Sequence, residues 1–92
     1  MAMSAQIVLK LFATLGDYLP RELDGRARVE RQIPVDIADG TVVQDVIERF
    51  KLPRELVHLV LVNGMYIEPA ERPRHLLREG DALAIWPPIA GG

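Results

Sequence analysis

Cysteine is absent from the 92 residues. That excludes disulfide scaffolds, thiolate metal sites, iron–sulfur clusters and any cysteine nucleophile. A domain this small without staples folds on packing alone, and the expectation that follows is a cytoplasmic protein. Long apolar runs are missing as well. The stretch from Val57 to Val62 is six residues and contains His58, far short of the ~18 that a membrane-crossing helix requires. The opening Met1-Ala2-Met3-Ser4 has no basic region followed by an apolar stretch, so it does not read as a signal peptide. Neither sign of charge dominates. A net charge of −2 lacks the basic excess of general nucleic-acid binders. The partners expected on these grounds include no nucleic acid and no membrane.

Catalytic motifs are also missing. No H-E-x-x-H, G-x-x-x-x-G-K or G-x-S-x-G pattern occurs. His58 and His75 fall in different elements with no carboxylate pattern beside them; they read as an outward strand residue and a loop residue. No metal or bound cofactor is expected. Arg21, Arg26, Arg28 and Arg31 are interspersed with Glu22, Asp24 and Glu30, which reads as a solvated loop. Arg72, Arg74 and Arg78 form a second cluster, either ordinary mixed-sign surface or a contact for an acidic partner.

What is present is one domain, residues 1–92, with hydrophobic residues at 49% and charged residues at 26%, near the average for a folded domain. Residues 7–13 read as a strand. Ile7, Leu9 and Leu11 alternate toward the core, while Val8, Lys10 and Phe12 alternate away from it. Residues 14–28 read as a long loop tied down by Leu15, Tyr18, Leu19 and Leu23. Residues 29–38 resume an extended pattern, and Pro34 places that strand at a sheet edge. Asp39-Gly40 is a turn. Thr41 and Gln44 have the spacing of a capping box, opening a helix with Val42, Val43, Val46, Ile47 and Phe50 on one stripe. Pro53 ends that helix near Lys51 or Leu52.

Residues 57–62 read as an apolar strand, Asn63-Gly64 as a tight turn and Met65 to Ile67 as a short return strand. Pro69 to Glu79 is an irregular crossing, with Leu76 and Leu77 reaching inward. Ala82 to Trp86 is the last strand; Leu83 and Ile85 share one face, Ala84 and Trp86 the other. Four to five strands in a mixed sheet with one main helix on one face make an α+β architecture, and a ubiquitin-like β-grasp fits the order best.

The chain then runs Pro87-Pro88-Ile89-Ala90-Gly91-Gly92. Neither proline offers an N–H to a sheet, so the strand stops there and the exit is stiff and extended. Residues 87–92 are read as a flexible tail. Six residues at ~3.3 Å each reach roughly 20 Å beyond the fold, far enough to enter a partner's buried site. Glycine lets the backbone pass a narrow channel and leaves the last carbonyl open to attack.

With these residues in place, the chain resembles the ubiquitin-like sulfur-carrier family of MoaD/ThiS type, which includes the small subunit of molybdopterin synthase and the thiamine-pathway sulfur carrier. The resemblance spans nearly the whole chain. It rests on Leu11-Phe12-Ala13, Val62-Asn63-Gly64, Gly80-Asp81 and, most specifically, Pro87-Pro88-Ile89-Ala90-Gly91-Gly92, which is closer to the molybdopterin branch. The resemblance implies that an adenylating enzyme of the ubiquitin-activating type uses ATP to activate the carboxylate of Gly92. A sulfur donor then displaces AMP to leave a thiocarboxylate, and a second enzyme, such as the molybdopterin synthase large subunit, accepts the sulfur. Gly92 carries the reacting group, Gly91 provides clearance, and Pro87, Pro88, Ile89 and Ala90 thread the partner. The domain is a co-substrate with no catalytic residues of its own.

The resemblance also implies docking through Phe12, Tyr66 and Trp86 on the exposed sheet face. Two departures, the longer 14–28 loop and Trp86 where a phenylalanine or aliphatic residue is more usual, bear on which pathway receives the sulfur. The alternatives are a thiamine- or other-pathway carrier, a protein modifier joined to lysines through Gly92, and a passive interaction domain.

Overall fold

In a computed structural model, which describes residues 4–88, seven strands and one α-helix follow one another along the chain. They are β1 (Ser4–Leu11), β2 (Glu22–Leu23), β3 (Arg26–Ala27), β4 (Gln32–Ala38), α1 (Val43–Arg49), β5 (Leu59–Val62), β6 (Met65–Tyr66) and β7 (Ala82–Trp86). Five strands form one mixed sheet in the order β4-β1-β7-β5-β6. β7 lies in the middle, parallel to β1 and antiparallel to β5. β2 and β3 form a separate two-stranded ribbon. No helix among the described residues is long and apolar enough to cross a membrane.

Alternation sorts the sheet faces as the sequence predicts. Ile7, Leu9 and Leu11 of β1, Ile33, Val35 and Ile37 of β4, and Leu83 and Ile85 of β7 are all buried, and join Val43, Val46 and Ile47 of α1 in one cluster. The buried cluster is aliphatic throughout; the two phenylalanines and the tryptophan are half-buried, and both tyrosines are exposed. Pro34 stands on the edge strand β4, opposite Val8, where its missing N–H takes nothing from the interior ladder.

The helix ends differ from the expected ones. The N-cap is Val42, not Thr41. A valine side chain has no oxygen to offer, so other groups meet the free N–H groups of the first turn. The backbone N–H of Val42 donates to Asp45 Oδ2 at 2.9 Å. Those of Val43 and Gln44 donate to the carbonyls of His75 and Arg72, each at 3.0 Å. The crossing segment thus caps the helix with its backbone, which satisfies the orphan donors of the first turn. Thr41 instead donates its hydroxyl back to Ala38 O, and Gln44 bonds Glu48.

The helix also stops earlier than Pro53 requires. Lys51 takes φ 56°, while Lys51 N–H bonds Glu48 O and Leu52 N–H bonds Ile47 O. This is a Schellman ending with lysine in the left-handed position that glycine usually fills. Lys51→Gly is therefore expected to raise stability by about 0.5–1 kcal/mol, measured by urea unfolding.

The 14–28 segment is more ordered than a loop. A 3₁₀ turn covers Ala13–Tyr18, and the β2–β3 hairpin follows. Asp24-Gly25, with φ 52° and 80°, makes the two-residue hairpin turn that such a dipeptide favours. Leu15 and Leu19 are buried and Leu23 half-buried, but Tyr18 points outward. Nor are the arginines merely solvated. Arg26 pairs with Asp36 at 2.9 Å, Arg28 Nη1 donates to Gly16 O and Leu19 O, and Arg31 Nη1 donates to Ala13 O. The hydrogen bond from Arg26 holds the Asp36 carboxyl below the usual carboxylate range. A carboxyl lowered in this way contributes at neutral pH, and its contribution fades as the pH falls through that lowered value.

Candidate functional site: the strand end and the open sheet face

The turn at Asn63-Gly64 fastens the start of β7. Both residues take positive φ, 51° and 83°, as the tight β5–β6 hairpin requires. Asn63 then reaches across. Its Oδ1 accepts from Ala82 N–H at 2.9 Å and its Nδ2 donates to Asp81 Oδ1 at 2.8 Å. Asp81 Oδ2 in turn accepts from Arg78 N–H. The two short motifs Val62-Asn63-Gly64 and Gly80-Asp81, distant in sequence, thus meet in one hydrogen-bonded cluster.

At the other end β7 is held from both sides. Phe12 N–H donates to Ile85 O and His58 N–H donates to Trp86 O, each at 3.1 Å. Pro87 is buried and Pro88 exposed, so the chain leaves the sheet from the end of its central strand. Ile89, Ala90, Gly91 and Gly92 lie outside the described residues.

Phe12 and Trp86 stack face to face with ring centroids 4.1 Å apart and planes 1° from parallel. They occupy the sheet face opposite α1, as alternation predicts. The pairing of Leu61 with both Ala84 and Tyr66 places Tyr66 on that same face. Two strand spacings and two residues separate it from Trp86, roughly 12 Å by sheet geometry. The structure therefore brings two of the three aromatics into contact and leaves the third at the far edge, 52% exposed. Between them lie the half-buried Leu59 and Leu61, which sequence reasoning missed. Leu59-Val-Leu-Val62 is apolar at every position, so alternation had no polar residue to mark the open face. The long segment after β1 does not bury Phe12. It walls an open groove of about 760 Å³ beside it, lined by Lys10, Phe12, Thr14, Asp17 and Arg28.

The basic cluster at 72–78 is not a surface unit. Arg72 is buried at 7% exposure, while Arg74 and Arg78 are exposed. Leu77 reaches inward, but Leu76 is 51% exposed. Among the described residues no group of three His, Asp or Glu side chains stands together as a metal site. His58 is exposed and His75 is half-buried.

A mixed five-stranded sheet with one helix on one face and an open opposite face defines a ubiquitin-like β-grasp protein. The sequence profile of the ThiS family matches residues 9–92. Over 73 residues, 78% of this chain and 80% of the relative, the chain is 36% identical to the molybdopterin synthase sulfur carrier subunit of Drosophila ananassae. The chain belongs to the ThiS family. Among solved structures, the HVO 2177 protein of Haloferax volcanii superposes with a TM-score of 0.71 at 24% identity, covering 97% of this chain and 88% of that one. Small archaeal modifier protein 1 of Methanosarcina acetivorans superposes with a TM-score of 0.62 at 23% identity, covering 98% and 99%. At these identities the likeness is one of fold.

Proposed function

We propose that this protein is a sulfur carrier, with the carboxylate of Gly92 as the group that holds the sulfur. A carboxylate is a poor electrophile because its charge is delocalised and it offers no good leaving group. Adenylation by an ATP-using partner converts it to an acyl-adenylate. Attack by a sulfide-level donor at the carbonyl carbon expels AMP and leaves a thiocarboxylate, whose sulfur is a soft nucleophile. The family relative named as a molybdopterin synthase sulfur carrier subunit supports a synthase large subunit as the acceptor.

The observation that carries this reading is the anchoring of the tail. The central strand is clamped on both sides up to Trp86 and is followed by two prolines and four further residues ending in Gly91-Gly92. A carrier requires a firmly held point of departure for the segment that bears the reacting group. The stacked Phe12–Trp86 pair beside the exit is proposed as the docking surface for both partners, with Tyr66 at its edge. Apolar patches of this kind favour a protein partner.

The test is incubation with an adenylating enzyme, ATP and a sulfide source, followed by intact mass spectrometry. The expected product has one oxygen replaced by sulfur. A ladder of conjugates joined through lysines, with no sulfur form, would instead mark a protein modifier.

A further inference from the structure

Arg72 is the one charged residue in the buried set among the described residues. Burying a guanidinium is costly unless its protons find partners. Its partners are not carboxylates, since the only ion pair among the described residues is Arg26–Asp36. They are two backbone carbonyls. Nε–H donates to Ile67 O and Nη2–H to His58 O, each at 3.3 Å. Ile67 follows β6 and His58 precedes β5, so one side chain clasps both open ends of the β5–β6 hairpin. Through its own carbonyl Arg72 also accepts from Gln44 N–H at 3.0 Å, which ties the clasp to the start of α1.

His58 lies just outside β5, and two hydrogen bonds hold its backbone. Its C=O accepts from Arg72, and its N–H donates to the carbonyl of Trp86 at 3.1 Å. Trp86 is the last strand residue before the tail. A continuous path therefore runs from the helix start through Arg72 and His58 to the point where the chain leaves the sheet.

We propose that Arg72 is a positioning residue that fixes His58 and, through it, Trp86, so that the tail leaves the sheet in one direction. This rests on the carrier reading above. A tail aimed in one direction reaches the activating enzyme without first losing orientational freedom, and such pre-organisation favours binding.

The experiment compares Arg72→Met and Arg72→Lys with the wild-type full chain. Methionine keeps much of the length and bulk but has no donors. Lysine keeps the charge but lacks the planar fork that spans two carbonyls. Amide hydrogen exchange is read by NMR, and adenylation is read as a function of carrier concentration. In both variants the His58 amide is expected to exchange about tenfold faster, while β1 and β7 amides stay within about threefold of wild type. The carrier concentration for half-maximal adenylation is expected to rise about 5-fold or more with the maximal rate unchanged, a loss of binding rather than of chemistry. Unchanged His58 exchange, uniform loss of protection across the sheet in both variants, or an unchanged half-saturating concentration overturns the proposal. If the wild-type chain itself is not adenylated, the carrier reading fails. The exchange data then still decide whether Arg72 fixes His58.

Discussion

A chain carrying one extra alanine after Gly92 is expected to lose sulfur loading while keeping its melting temperature. The extra residue moves the carboxylate by ~3.3–3.6 Å and places a methyl group on the α-carbon next to it. A displacement of only ~1 Å at a reacting centre costs on the order of 100-fold in rate, so loading should fall by at least that much. The fold is expected to tolerate the addition, because the last strand ends at Trp86 and the buried cluster of the described residues runs from Ile7 to Ile85. Rates are read by intact mass and stability by thermal unfolding. Loading at the wild-type rate would contradict the assignment of the reacting group to Gly92.

The second large effect concerns docking. Phe12→Arg and Trp86→Arg are each expected to weaken binding to the activating enzyme by about 10- to 100-fold, the range for removing an aromatic anchor at an interface. Both rings are half-buried and stacked on each other, so each change also costs about 0.5–1.5 kcal/mol of folding stability from the lost pair. That leaves the sheet intact, since neither ring belongs to the aliphatic core. Binding is measured by calorimetry and folding by urea titration. Near-normal affinity in both variants would remove this face from the docking surface. Collapse of folding would mean that the pair is core in all but exposure.

Much of this arrangement is legible in the sequence because the sheet is amphipathic. Where a polar residue alternates with apolar ones, as Lys10 does in β1 or Asp36 in β4, the inward face follows directly. The dipeptide Asn63-Gly64 identifies its turn for the same reason, since its two positive φ values suit few other residues. The helix start differs from its sequence signature because a hydroxyl and an amide three residues apart signal a cap only if nothing else reaches the N–H groups. Here the crossing segment supplies the carbonyls of His75 and Arg72, which no local pattern reveals. Arg72 is the same lesson at the site. Its charge and its neighbours Arg74 and Arg78 read as surface, yet the two carbonyls that bury it belong to residues 5 and 14 positions away. The Asp24-Gly25 dipeptide signals its hairpin, but strands of two residues each are too short to show an alternating pattern.

The most direct measurement is fragmentation of the intact chain by mass spectrometry after reaction with an adenylating enzyme, ATP and a sulfide source. The chain contains no cysteine, so no thiol side chain competes for the sulfur. A single oxygen-to-sulfur exchange is expected, confined to the fragment that ends in Gly92. The added mass found on any other fragment, or a chain whose mass never changes under these conditions, would contradict the assignment of the reacting group to Gly92.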